Sequence, residues 1–317
     1  MNRYQMLFPG CSVMLQREKI VLSFFIGPGH APVRYHFSLT MFGSRYITNN
    51  IQGNEMTYCV AINTNTGFVV CSDSRTNAGF DHISSYRKTH TFVWPNNRVF
   101  ALLSAGNLAT TQLVIKRLNA DLDNRAVPNL LSVKTMQEAA DYVAAVNISV
   151  QTLHVVRDTG NTSFEATFIL AGQIGTAIHE TLLIYPQGNY IHESDEHPYL
   201  QIGETKYGKP ILDRVISRNM LLERAGRCAL VSMNSTVRSN LTVGPPIDLL
   251  VYEKGSLNFT NQLYLAEDNP FAKQLSEQWN EGLILALQNL PKFYWENSTG
   301  NTAVPDTNAN QPSSKIR

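Results

Sequence analysis

Apolar runs in this chain come in blocks of two, strands beside strands and helices beside helices. That grouping constrains the fold more than any other feature. Residues 58–63 and 68–72 read as strands joined by Thr64-Asn65-Thr66-Gly67, a short turn ending in glycine, which predicts a hairpin. Residues 98–104 (Arg-Val-Phe-Ala-Leu-Leu-Ser) are a further buried-strand pattern, entered through the Pro95-Asn96-Asn97 turn. Helical spacing follows twice, at Leu108, Thr111, Ile115, Leu118 and Leu122, then at Met136, Ala139, Ala140, Val143 and Val150. Strand patterns return over 166–172 and 181–185. A second helical block covers 211–222 and 224–237, residues 247–253 again read as a strand, and a last helix spans 271–290. Strict strand–helix alternation would indicate a doubly wound parallel sheet. Blocks of two indicate antiparallel sheets with helical layers outside, an α+β class. Two sheets face to face, covered by helix pairs, would use every block.

Composition narrows the function classes. With 317 residues and 43% hydrophobic content, the chain can bury a sizeable core. The 26 basic and 25 acidic residues leave a net charge of +1, so bulk charge gives no reason to expect nucleic acid or an anionic membrane as partner. No apolar run approaches the roughly 18 residues of a membrane span. Cys11, Cys59, Cys71 and Cys228 lack C-x-x-C spacing, and Cys59 and Cys71 lie in apolar runs where buried thiols are common. Neither a disulfide framework nor a zinc site is expected, and a reducing cytoplasm fits.

Residues 1–56 differ from the rest. Their one strong apolar run, Val21-Leu22-Ser23-Phe24-Phe25-Ile26, is broken by Gly27-Pro28-Gly29, and Gly29-His30-Ala31-Pro32 and residues 49–55 read as irregular chain. The run is shorter than the apolar core of about 7–15 residues in a signal peptide, and no small-residue cleavage site follows it. A propeptide, a real extension and translated sequence upstream of the true start are the three readings. Gln52-Gly53 requires a purine-rich AAGG or AGGG codon stretch shortly before Met56, which favours the third in a bacterial source. The expected organisation is an extension over 1–56, a main domain over 57–296, and a disordered tail over 297–317, where Asn, Thr, Pro and Ser dominate.

Met56-Thr57 is where chemistry is expected. Methionine is readily trimmed before a small residue, which would expose the threonine amine. A free α-amine has a pKa of about 7.7–8.0 and can serve as the base that a hydroxyl nucleophile needs. Asp73, at the end of the second hairpin strand, can fold back beside Thr57. Lys88 is a cation that Asp73 could hold near the amine, where a unit charge at about 4 Å is worth up to roughly 4 kcal/mol at an effective dielectric of 20. Ser104-Ala105-Gly106-Asn107 ends a strand just before a helix, and the Gly106 N–H there suits an oxyanion. Taken singly, each feature also has an ordinary structural reading: a strand threonine, a turn, a surface lysine, a helix start.

Thr-Tyr-Cys-Val-Ala-Ile, Ser-Asp-Ser-Arg-Thr-Asn-Ala-Gly, Ser-Ala-Gly-Asn-Leu, Ile-Gly-Glu-Thr-Lys-Tyr-Gly-Lys-Pro-Ile-Leu-Asp-Arg and Ser-Asn-Leu-Thr-Val-Gly-Pro-Pro-Ile-Asp-Leu together resemble the Anbu family. These are bacterial relatives of proteasome β subunits and HslV, with the N-terminal nucleophile hydrolase fold. The resemblance runs from Thr57 to about residue 296. It implies a four-layer αββα sandwich of two antiparallel sheets between helix layers. It also implies Thr57 as nucleophile, Asp73 and Lys88 as its charge partners, Gly106 as oxyanion donor and no cofactor or metal. Assembly as a homo-oligomer, in a ring or open helical turn acting on peptide or protein substrates, is part of the same expectation; an ATP-driven unfoldase partner is left open. Two departures stand out. The β-subunit serine and aspartate cluster corresponds to Ser239-Asn240, so its acidic member looks lost, and Asn234 stands where Anbu sequences often carry Asp. A small-amide hydrolase and a non-catalytic assembly subunit are the alternative functions.

Two rival signals are weaker. Gly203–Lys209 fits all but the last position of a P-loop, but Pro210 stands where Ser or Thr must bind magnesium, so a sheet-to-helix turn is expected. His192, Glu193, Asp195, Glu196 and His197 form a polar cluster without regular ligand spacing and read as exposed loop polarity.

Overall fold

The computed structural model describes residues 11–16, 19–24, 33–38, 57–77, 83–158, 162–259 and 261–297. The chain divides into two units, Met1–Gln52 and Gly53–Arg317. In the first, β1 (Cys11–Gln16), β2 (Lys19–Phe24) and β3 (Val33–Ser38) form an antiparallel meander. The stretches expected to be irregular, 29–32 and 49–55, lie outside the described residues. Val33, Tyr35 and Phe37 alternate with Arg34, His36 and Ser38, a period of two that the brevity of the segment concealed. Of the expected tail over 297–317, Asn297 ends a short 3-10 turn (Tyr294–Asn297), and residues 298–317 lie outside the described residues.

The second unit opens with the expected hairpin, β4 (Tyr58–Thr64) and β5 (Gly67–Asp73). Gly67 has φ +148°, and a Cβ there would lie 1.9 Å from the Tyr252 carbonyl oxygen. The chain continues through the short pair β6 (Arg75–Asn77) and β7 (Ile83–Ser85), then β8 (Thr89–Trp94) and β9 (Arg98–Gly106). α1 (Leu108–Asp123) follows, its first turn capped by the Asn107 side chain, then α2 (Met136–Arg157), capped by Thr135. β10 (Ala166–Ile174), β11 (Glu180–Ile184), β12 (Tyr190–His192) and β13 (Tyr199–Gly203) precede α3 (Lys209–Val215) and α4 (Leu222–Ser239). β14 (Ile247–Glu253), β15 (Asn261–Leu265) and α5 (Pro270–Gln288) complete the unit.

Two five-stranded antiparallel sheets result, ordered β12-β11-β10-β9-β8 and β13-β4-β5-β14-β15. Side chains alternate across them as the pleat requires. Between the sheets pack Cys59, Ala61, Phe68, Val70, Ala101, Leu103, Ile169, Leu250 and Tyr252. The other face of the first sheet packs Phe100, Leu102, Phe168 and Leu170 against α1 and α2; the other face of the second packs Tyr58, Val60, Val69 and Leu249 against α3 and α4. Three apolar interfaces make four layers, helix–sheet–sheet–helix, as expected. No helix among the described residues is long and apolar enough to cross a membrane.

One helix is shorter than its periodicity predicts. The run expected over 211–222 stops at Val215, because the residues after it are recruited elsewhere. The Arg218 carbonyl accepts from Asn65 N at 2.8 Å, and its guanidinium pairs with Glu193 and Asp195. These tertiary bonds outweigh one more helical turn. They also revise the polar loop: Asp195 and Glu196 are exposed, but the Glu193 carboxylate is buried and accepts from Asn63, Thr181 and Arg218. Glu193 therefore joins β4, β11 and the α3–α4 connection. Among the described residues no group of three or more His, Cys, Asp or Glu could hold a metal ion. The segment 203–210 folds as the turn from β13 into α3, with proline in the first helical turn.

Truncating Glu193 strands three donors at once. Glu193→Ala is expected to lower unfolding free energy by about 2–4 kcal/mol, since buried donors lose a charged acceptor. Urea unfolding measures this, and Asp195→Ala, at an exposed position, serves as the control that changes little.

Candidate active site

Four strand ends converge on a small cleft. Thr57 stands just before β4, Asp73 ends β5, Lys88 stands just before β8, and Gly106 ends β9; Thr57, Lys88 and Gly106 line the cleft with Thr76, Tyr86 and Ser104. The β4–β5 hairpin brings Asp73 back beside the start of β4, because Cys59 pairs with Ser72. The first sheet delivers Lys88: Ser104 N donates to the Lys88 carbonyl at 3.0 Å, and the Ser72 and Thr89 hydroxyls bond across the sandwich at 2.8 Å.

Asp73 is the electrostatic centre. It is 0% exposed and Lys88 is 4% exposed. The Lys88 ammonium donates to Asp73 Oδ1 at 2.7 Å, and Tyr58 N donates to the same oxygen at 3.0 Å. Gly244 N, 171 residues away in sequence, donates to Oδ2 at 3.2 Å. Burial pushes the Asp73 carboxyl above the usual carboxylate range, while the Lys88 charge, its hydrogen bond and the two backbone N–H groups pull it back. Of its three donors, Lys88 commits one to Asp73 and one to the Arg75 carbonyl at 2.7 Å, leaving one N–H for the cleft. A cation is thus fixed beside Thr57 by an anion that also grips the amide following Thr57.

Gly106 has φ +107°, and a Cβ there would come within 2.4 Å of the Glu165 carbonyl oxygen. Only glycine fits that approach of β9 to the chain entering β10. The Asn107 side chain caps α1 immediately after it, so Gly106 sits at the mouth of a sixteen-residue helix.

The residues expected in support divide. Ser239 is exposed on the last turn of α4 and does not join the cleft. Asn240 caps α4; its Oδ1 accepts from Thr242, and its Nδ2 donates to Glu204 Oε2 at 3.1 Å. Glu204 in turn donates its backbone N–H to the Thr57 carbonyl at 2.6 Å. Asn234 lies away from the site, accepting from Ser276 on α5 at 3.4 Å, so that departure leaves the cleft untouched.

Several site groups escaped the sequence reading. Gly203 has φ +82°, and a Cβ on it would lie 1.8 Å from the Thr57 carbonyl oxygen. Gly244 carries the Arg75 side chain flat against it, with the guanidinium carbon 2.2 Å from where a Cβ would stand. Both glycines lie in the quoted motifs, and for Gly203, which ends β13, a glycine ending a strand is the signal of close backbone approach that could have found it. The Tyr58 hydroxyl bonds Ser232 on α4 and Gln201 on β13, both at 2.6 Å, which anchors the start of β4 from the helical side. Burial pushes Tyr58 far above its ordinary pKa and keeps it a neutral strut. Cys59, Cys71 and Cys228 are buried and free, and burial raises all three thiols.

No family profile matches the chain, and no curated protein sequence does. Solved structures do. Anbu (ancestral beta-subunit) from Yersinia bercovieri is 43% identical over 75% of this chain and 98% of its own, with a TM-score of 0.70. A Gly-1 mutant of Anbu from Hyphomicrobium sp. strain MC1 is 40% identical over 75% and 99%, also at 0.70. The Anbu chain of a helical assembly from Pseudomonas aeruginosa is 44% identical over 74% and 98%, at 0.71. Identity at this level, spanning nearly the whole of each relative on the same two-sheet sandwich, places the protein in the Anbu (ancestral beta-subunit) family of proteasome-related proteins.

Proposed function

We propose that this protein is an N-terminal threonine peptidase, with Thr57 the first residue of the working chain. The observation that carries the reading is the buried Lys88–Asp73 pair bonded to the amide directly after Thr57. A surface lysine needs no such burial, and holding a charge out of water is costly unless it serves something. In this mechanism the neutral α-amine removes the Thr57 hydroxyl proton and Oγ1 attacks the substrate carbonyl. Lys88 holds the amine in its neutral form by charge repulsion and stabilises the developing alkoxide. The Gly106 N–H receives the oxyanion of the tetrahedral intermediate. The ammonium then returns its proton to the leaving amine, the C–N bond breaks, and an ester remains on Thr57. Water enters, loses its proton to the same amine and attacks; the ester C–O bond breaks and the proton passes back to Oγ1.

A preceding residue would turn the base into an amide nitrogen, so residues 1–56 must be removed or never made for this chemistry to run. The substrates on this reading are peptides or unfolded protein segments. Self-assembly into a ring or open helical turn, for which the helical assembly of the Pseudomonas aeruginosa relative is the precedent, would sequester the clefts in the cytoplasm. Small-amide hydrolysis is the second reading, supported by the narrowness of the cleft between Thr57, Lys88 and Gly106.

Intact-mass measurement of the protein made from its natural start is expected to show Thr57 at the N-terminus; a mass retaining any earlier residue removes the base. On peptide-amide substrates Thr57→Ala is expected to lower kcat/KM by at least about a thousandfold, as when other nucleophiles are deleted.

Lys88→Ala tests the charge pair. It leaves Asp73 buried with backbone donors alone, at a cost of about 3–5 kcal/mol near neutral pH. Without the ammonium the folded-state pKa of Asp73 rises further above its unfolded value. A raised carboxyl contributes most below the unfolded pKa and loses that contribution as pH climbs through the folded one. Urea unfolding of Lys88→Ala should therefore show stability regained at acid pH relative to pH 8, with activity lost at both.

A further inference from the structure

Three buried carboxylates of the main unit have a cation in contact: Asp73 has Lys88, Asp248 has Arg87, and Glu193 has Arg218. A fourth, Glu204, is 5% exposed and has no ion pair among the described residues. Among the described residues its carboxylate accepts only from Asn240 Nδ2 at 3.1 Å and from Lys206 N at 3.4 Å. A buried carboxylate with two neutral donors and no cation is costly, so a missing partner is to be sought nearby.

The register shows where. β13 pairs with β4 through Gly203 opposite Tyr58, so Glu204 stands opposite Thr57, and its N–H reaches the Thr57 carbonyl at 2.6 Å. Directly opposed residues of an antiparallel pair have Cβ atoms about 4.5–5.5 Å apart, within reach of a glutamate head. The Gly203 turn is what allows this approach, since its φ of +82° and the absence of a Cβ let β13 close on the Thr57 backbone. In the full-length chain residue 57 offers an amide there. Once Thr57 leads the chain, it offers an amine that becomes an ammonium each time it takes the hydroxyl proton.

We propose that Glu204 is the counter-ion of the Thr57 α-ammonium, held in place by Asn240. The acidic group that looks lost at Asn240 is thereby supplied from the next strand. Glu204 acts through the amine as a positioning residue and exchanges no proton: Oγ1 gives its proton to the amine, the amine gives it to the leaving group, and Glu204 stays charged throughout. The inference rests on the threonine reading. Other charged groups at this end of the sheet are Asp73 on β5 and Lys88 before β8, beyond β4, and Arg75, whose guanidinium donates to the Leu241 carbonyl; α4 contributes the neutral Asn240, and Lys206, in the same turn as Glu204, is exposed.

The test is the pH profile of kcat/KM on a peptide amide, using the chain that begins at Thr57. Glu204→Gln keeps the shape and an acceptor oxygen for one of the two hydrogen bonds while removing the charge. It is expected to move the acid limb, where the amine becomes neutral, to lower pH by about one unit. Asn240→Asp, adding a second carboxylate, should move the limb the other way. Glu204→Gln combined with Asn240→Asp should return it close to the wild-type position. Opposite shifts with recovery in the pair support the counter-ion role. An unmoved limb in folded Glu204→Gln overturns it, and if that variant fails to fold, an unmoved limb in Asn240→Asp does so. Undiminished hydrolysis by Thr57→Ala would overturn the threonine reading itself and this proposal with it. Loss in Thr57→Ala with unmoved limbs elsewhere sinks only the role given to Glu204.

Discussion

A carboxylate with no exposed surface, Asp73, is the constraint around which the main unit closes. It is satisfied from three directions at once: by Lys88, by the amide of Tyr58 and by the amide of Gly244. Those donors come from the segment before β8, the first sheet's edge strand, from the adjacent strand β4, and from the loop between α4 and β14. None can shift without leaving a charge or a donor buried alone, so the anion pins both sheets and the helical layer to one point. The arrangement is stiff where it needs to be. Thr57, one residue before the gripped amide, inherits that rigidity.

The same point explains why glycines crowd the site. Three backbones approach it too closely for a Cβ: Gly203 against the Thr57 carbonyl, Gly106 against Glu165, and Gly244 beneath the Arg75 side chain. Gly203 and Gly106 also hold positive φ, so the end of β13 and the end of β9 bend sharply as they reach the cleft. Strand ends, not helices, therefore carry the groups proposed to react. The inter-sheet core of alternating small and large side chains sets how far apart those ends lie.

Much of this was legible in the chain order. The periods of two and 3.6 residues found the β4–β5 hairpin, β9, α1, α2, α4 and α5, because each element buries a full face and so carries a full pattern. Short or lightly buried elements were missed. β15 is exposed at all but one of its residues, and β6 and β7 are three residues each. α3 was overestimated because apolar spacing reports what a segment could bury, whereas Arg218 and Asn65 decided what it did.

For the site the division is sharper. Thr57, Asp73, Lys88 and Gly106 could be picked out by sequence because a hydroxyl behind a methionine, an acid at a hairpin's end, a cation and a glycine before a helix each carry chemistry in the side chain or at a known place in an element. The two-layered antiparallel architecture followed from block order in the same way. Only the tertiary structure decided that Asp73 and Lys88 share one oxygen, that the Arg75 carbonyl and Gly244 amide complete their shell, that Ser239 stands outside, and that Glu204 faces Thr57. The physical reason is that backbone donors have no sequence signature. Their partners here lie up to 171 residues away, and whether two such groups meet depends on sheet register and on which faces the core has already claimed.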